Sequence, residues 1–168
     1  MTDTTATHEA ATLYQTLKQF GPEVRNDRRL AVPPAYSATL YDAVCASRIT
    51  LDGRFEGERL AELGYRVRAC SLGQATTAIL VRRAAGLDAH TLTHIHTQLR
   101  AILAGDATHC DWPELEVFSL IRAIPGRRGS AELPFKVLAE LFQQAGVTGA
   151  TVDTDVTPTT QSLGGNEP

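Results

Sequence analysis

The chain has 168 residues, 43% of them hydrophobic, and a net charge of −3, which suits one globular domain with a real core. There is no basic stripe for nucleic acid, no block of like charge, no apolar run long enough to span a bilayer, and no signal-peptide pattern in Met1–Thr7. Three cysteines, an odd number, argue against a disulfide framework and for a reducing, cytoplasmic setting.

In chain order, His8–Phe20 reads as a helix, with Leu13, Leu17 and Phe20 on one face and Gly21 to stop it. Pro22–Ala35 is irregular, carrying Arg25, Arg28, Arg29 and the Pro33-Pro34 pair, which blocks a helix. From Tyr36 to Val67 the period becomes two. Strands are expected over Tyr36–Val44, Arg48–Asp52 and Leu63–Val67, with a turn at Glu56–Arg59. Short connections make this an antiparallel meander, polar on one face.

After Cys70 the pattern is helical. Ser71 and Gln74 form a capping-box pattern, and Gly86 closes that helix. Leu92, Ile95, Leu99 and Ile102 mark a second helix closed by Gly105. Asp111-Trp112-Pro113-Glu114 starts a third with Leu115, Phe118 and Ile121. Pro125–Gly129 reads as a loop, and Ser130 precedes a last helix that ends near Gly146. Residues 147–168 are rich in Thr, Gly and Asp and read as a disordered tail after a single domain of residues 1–146. Strands followed by helices give an α+β class: a small three-stranded antiparallel sheet with helices packed on one face.

The cysteines carry the chemistry. Cys70 sits before a helix start, where free backbone N–H groups and the helix dipole favour a thiolate, both sulfur nucleophile and metal ligand. Cys45 lies between two strand patterns, at a hairpin tip. Ser130 lies at another expected helix start, so convergence at one sheet end would bring three short side chains together. Each also has a plain alternative: Cys45 as a small buried apolar residue, Ser130 as an N-cap, Cys110 as an incidental loop residue. His90 and His94 share a helix face at a spacing that can bind zinc, but His90, His94 and His96 read as a solvated face opposite Leu92 and Ile95. No paired carboxylates, nucleophile–base motif or phosphate loop supports an enzyme.

From about Leu13 to Leu141 the chain resembles the U-type iron–sulfur cluster assembly scaffold family (IscU, SufU and the NifU N-terminal domain), most of all the SufU branch. Leu13-Tyr14-Gln15 resembles the start of the family's first helix, and Arg25-Asn26 falls on its Pro-Arg-Asn segment. Cys45-Ala46-Ser47 falls on its Cys-Gly-Asp motif. Cys70-Ser71-Leu72-Gly73-Gln74-Ala75 falls on Cys-Ser-Ile-Ser-x-Ala, and Pro125-Gly126-Arg127-Arg128-Gly129-Ser130-Ala131-Glu132-Leu133-Pro134-Phe135 on Pro-x-Arg-x-x-Cys-Ala-Thr-Leu-Pro-Trp.

The resemblance implies the family's α+β fold and a site at Cys45, Ser47, Cys70 and Ser130, where the family has Cys, Asp, Cys and Cys. Neutral serine is a poor ligand for zinc or ferrous iron beside thiolate or carboxylate, so the ligand set is degenerate. Val67 and Ala69 stand where the family has glycines before its second cysteine and crowd that approach, while Arg127 is kept. The implied function is a scaffold-like protein of iron–sulfur assembly. It would bind iron or zinc, or accept sulfur, through Cys45 and Cys70, with a cysteine desulfurase or another assembly protein as partner. The alternative is a metal-free homologue that binds or regulates such a protein.

Overall fold

A computed structural model of the chain describes residues 4–124 and 126–149. The elements run α1 (Thr4–Leu17), β1 (Tyr36–Asp42), β2 (Ser47–Glu56), β3 (Arg59–Arg68), α2 (Ser71–Arg83), β4 (Leu87–Asp88), α3 (Ala89–Ala104) and α4 (Arg128–Gln144). Single-turn and longer 3₁₀ segments cover Gly21–Val24 and Pro113–Ala123. The class is α+β as expected, but the antiparallel sheet has four strands, in the order β1-β2-β3-β4, instead of three. The fourth pairs only Leu87 and Asp88 with Leu60 and Arg59. Two residues leave no alternation for a sequence pattern to reveal.

The period of two sorts the sheet residues cleanly. Ile49 pairs with Val67, Leu51 with Tyr65 and Ala38, and Gly53 with Leu63, so these side chains share a face. That face meets the helices: a Cβ on Gly53 would lie 3.2 Å from Leu141 of α4, and one on Gly73 of α2 would lie 3.5 Å from Ile49. Leu13, Leu72, Ile79, Phe118, Phe135 and Phe142 complete the core, all fully buried.

The opposite face carries Arg48, Thr50, Asp52, Gly64 and Arg66, and the irregular stretch after α1 is strapped across part of it. Arg28 and Tyr65 exchange both backbone hydrogen bonds, at 2.9 and 2.6 Å. Gly64 makes room for this, since a Cβ there would stand 2.7 Å from the Arg28 carbonyl oxygen. Asp52, wholly buried, accepts hydrogen bonds from Arg29 Nε (2.6 Å) and Nη2 (2.9 Å), the Leu30 N–H (3.0 Å) and Ser37 Oγ (2.7 Å).

Several local expectations are corrected. α1 begins at Thr4 and ends at Leu17, so Phe20 belongs to the following 3₁₀ turn. The Ser71–Gln74 capping box does not form: Cys70 is the N-cap of α2, and the Gln74 amide donates instead to the Ala69 carbonyl at 2.8 Å. α2 stops at Arg83, before Gly86, whose N–H reaches across to Leu60 O at 2.8 Å. The expected third helix is a 3₁₀ segment. Leu115, Phe118 and Ile121 recur every three residues, and all three are buried, which is the row a helix of three residues per turn presents.

α4 begins at Arg128, so Ser130 does not cap it but lies inside its first turn, fully buried. His96 is not solvated: it is buried, bonded to Glu132 Oε1 at 3.0 Å and stacked on Phe135. His90 and His94 are exposed, as expected, and stack on one another. Of the stretch expected as a tail, Val147 is buried and its N–H bonds Phe142 O at 3.0 Å. Residues 150–168 lie outside the described residues.

Candidate functional site

Strand register sets the site. Arg48 of β2 pairs with Arg68 of β3, so the residues before β2 and after β3 emerge at the same end of the sheet. Cys45 lies in the turn between β1 and β2, and Cys70 at the start of α2. The turn needs a left-handed residue before β2, and Ala46 supplies it with φ 50°. From the far side, the first turn of α4 enters with Ser130. Gly73 of α2 lies beside it, where a Cβ would stand 3.4 Å from Ser130 O, in ordinary contact.

The structure brings together Cys45, Ser47, Cys70, Ser130 and Arg127. The Ser130 hydroxyl lies 3.0 Å from Cys70 Sγ and 3.3 Å from Ser47 Oγ. Ser47 Oγ also accepts the Cys70 backbone N–H at 3.4 Å. Cys45 and Cys70 act on one another electrostatically, and the Arg127 guanidinium acts on both. Both serines are fully buried, whereas both thiols are partly open to solvent.

The two thiols differ in acidity. Burial pushes Cys70 up, but hydrogen bonds from Ser130, the Gly73 and Leu72 N–H groups and Cys45 outweigh it, so it sits below the usual thiol value. Burial also pushes Cys45 up, together with Cys70 and Asp42 beside it. Arg127 and Ser130 offset this only in part, and the net shift is upward. Cys70 is thus the more acidic thiol of the pair.

Asp42 is a site neighbour that sequence reasoning missed. Its carboxylate accepts the Val44 N–H at 2.9 Å and stands where a Cβ on Gly129 would meet it at 3.0 Å. Its position at the end of β1, three residues before Cys45, is the available signal. Ala69 packs toward Gly73, and Val67 belongs to the core. Cys110 lies elsewhere, buried and bonded to Gln98 and the Trp112 N–H. His94 pairs with Asp111 at 2.8 Å.

No family model matches the sequence, and neither does any curated protein. Solved structures do match. A nitrogen-fixing NifU-like protein (N-terminal) from Brucella abortus superposes with a TM-score of 0.74 at 22% identity, over 83% of this chain and 99% of that one. A candidate iron–sulfur cluster assembly scaffold protein for the SUF system from the thermophile Fervidobacterium islandicum gives 0.67 at 15% identity, over 78% and 97%. A third match, a hypothetical protein, gives 0.65 at 13% identity, over 79% and 98%. The chain has the U-type scaffold fold. Its nearly complete cover of those chains leaves no large part of the U-type fold missing.

The residues gathered at this end of the sheet do not fit a four-ligand metal or cluster. Among the described residues no group of three His, Cys, Asp or Glu side chains is placed to hold a metal ion. Every buried side-chain nitrogen and oxygen among them already has a hydrogen-bond partner, the two serines included. The serines spend their hydroxyls on each other and on Cys70, which leaves two thiols and a guanidinium as the reactive set.

Proposed function

We propose that this chain is a scaffold-like, non-enzymatic protein of iron–sulfur cluster assembly, related to the U-type family, and that it works as a sulfur acceptor through Cys70. The observation that carries this reading is the Ser130 hydroxyl 3.0 Å from Cys70 Sγ, at the position where the resemblance has a third thiolate. It removes a ligand and leaves a stabilised nucleophile. Binding of iron or zinc through Cys45 and Cys70 alone is the weaker form of the same reading, because two neutral serines add little affinity.

The chemistry needs only the groups present. The Cys70 thiolate attacks the outer sulfur of a donor persulfide. The donor's S–S bond breaks, the donor leaves as thiolate, and Cys70 keeps a persulfide anion. Arg127, which acts electrostatically on both Cys45 and Cys70, balances that anion. A cleft lined by Lys18, Arg25, Arg68, Ser71 and Gln74 runs up to the residue after Cys70 and offers an anionic donor a cationic approach. The donor class that the resemblance supplies is a cysteine desulfurase or another assembly protein. The setting proposed for this work is cytoplasmic, and no helix among the described residues is long and apolar enough to cross a membrane.

The test is sulfur transfer from a SUF-type cysteine desulfurase with free cysteine, followed by persulfide-selective alkylation and peptide mass analysis. Label on Cys70, abolished in Cys70→Ser, is the expected result. A second reading is favoured by the hydrogen-bonded serines, which give the site a complete network without cargo: a metal-free module that binds or regulates a desulfurase or a true scaffold. That reading takes over if the chain forms a stable complex with such a protein while Cys70 stays unlabelled.

A further inference from the structure

We infer that Cys45 is a resolving thiol: it attacks the persulfide carried on Cys70 and discharges the sulfur as sulfide, leaving a Cys45–Cys70 disulfide. The inference rests on sulfur acceptance by Cys70 and adds a step after it.

The observations concern the pair. Cys45, in the β1–β2 turn, interacts electrostatically with Cys70, whose sulfur lies 3.0 Å from the Ser130 hydroxyl. They leave the same end of the β2–β3 ladder, set by the pairing of Arg48 with Arg68. Both are partly open to solvent, so a donor and a departing sulfide have a path. Ser47 and Ser130 bond Cys70 and each other but are not thiols, so neither competes for the disulfide. Cys110 is buried against Gln98 and Trp112 and takes no part.

The step balances within the site. After loading, Cys70 bears Sγ–Sδ⁻. The Cys45 sulfur attacks Cys70 Sγ, the Sγ–Sδ bond breaks, and the Cys45 proton leaves with Sδ as HS⁻. The sulfane sulfur is reduced to sulfide, and the two cysteine sulfurs are oxidised to the disulfide. Attack on Sδ instead only moves the sulfur to Cys45 and leaves the inner route open. Arg127 faces both thiols and steadies the negative charge before it departs. A dithiol reductant, of the kind that keeps the cytoplasm reducing, returns the pair to thiols for another round.

The sequence explains why this chain would take that route. A site with three thiolates and a carboxylate would hold metal on the same sulfurs and keep them apart chemically. Here the metal-holding partners are alcohols, and the two remaining sulfurs share one end of the sheet.

The experiment loads the full chain with inorganic polysulfide, removes the reagent by gel filtration, and follows released sulfide and intact mass. Wild type is expected to release sulfide and to end two hydrogens lighter than the reduced chain, with a peptide linking Cys45 to Cys70. Cys45→Ser, and independently Cys45→Ala, are expected to keep the mass of one added sulfur on Cys70 and to lose sulfide release. Cys110→Ser is expected to behave as wild type. A wild type that retains its added sulfur as long as Cys45→Ser, with no linked peptide, overturns the resolving role and leaves sulfur acceptance standing. No sulfur uptake by any variant overturns both.

Discussion

The Ser130 hydroxyl touches the Cys70 sulfur at 3.0 Å, from inside the first turn of a different helix. The contact joins residues far apart in sequence at the start of α2, and it makes Cys70 the most acidic of the three thiols: Cys45 and Cys110 are both shifted upward. The pH dependence of alkylation therefore tests it. Cys70 is expected to react with iodoacetamide at lower pH than Cys45, read peptide by peptide under native conditions. Ser130→Ala removes a donor to the Cys70 sulfur and is expected to move the Cys70 profile to higher pH. An unchanged Cys70 profile in that variant would contradict the hydrogen bond.

Restoring charged ligands is the complementary test. Ser47→Asp combined with Ser130→Cys places a carboxylate and a third thiol beside Cys45 and Cys70, in side chains of nearly the same size. The double variant is expected to retain stoichiometric zinc after dialysis, where wild type keeps only traces. Metal analysis checks it. Stoichiometric zinc in the wild type would refute the misfit argued above.

Ala46 is the described non-glycine residue held at positive φ, 50°. Ala46→Gly relieves that strain, and a gain of about 1 kcal/mol in unfolding free energy is expected. Chemical denaturation measures it. A loss of stability would mean that the turn has another conformation in solution.

The Asp52 carboxylate offers a stability test away from the site. Burial pushes it up, but the bonds from Arg29, Ser37 and the Leu30 N–H more than compensate, and it ends below the usual carboxylate value. A depressed carboxylate contributes stability above its unfolded value, about 4, and that contribution is lost as pH falls through the lower folded value. Asp52→Asn is expected to cost about 3 kcal/mol at neutral pH. It is also expected to flatten the acid limb of the stability profile. Thermal unfolding from neutral to acid pH in both proteins decides the point.

Gly64→Ala probes the strap from the sheet side. The added methyl would meet backbone, Arg28 O at 2.7 Å and Leu30 N at 2.9 Å. A loss of about 2 kcal/mol is expected, with hydrogen exchange at Tyr65 N–H accelerated. Retained protection at Tyr65 would show that the strap can shift at no cost.

What could be seen in the sequence followed from periodicity. Ile49, Leu51, Leu63, Tyr65 and Val67 alternate, and they lie on the buried face as expected. Cys45 and Cys70 were picked out by their places beside strand ends, and register brought them together. Ser130 stands out as an expected helix start but is no cap, because α4 begins two residues earlier, at Arg128, with no side-chain cap to mark it. His96 was misread because a polar residue inside a helix pattern looks solvated until its partner is known. That partner, Glu132, is on another helix, and no local pattern links the two. The Asp52 network was equally invisible: its donors come from residues 29, 30 and 37, joined only once the strap folds over the sheet.

Cys110 is sealed behind Gln98 and Trp112, while Cys45 and Cys70 reach solvent. The protein thus carries its own counting standard. A native thiol titration reports the state of the working pair alone, and the same titration after unfolding adds a constant third equivalent. The oxidation state of the site becomes a ratio, read without a label, a mutation or a reference protein.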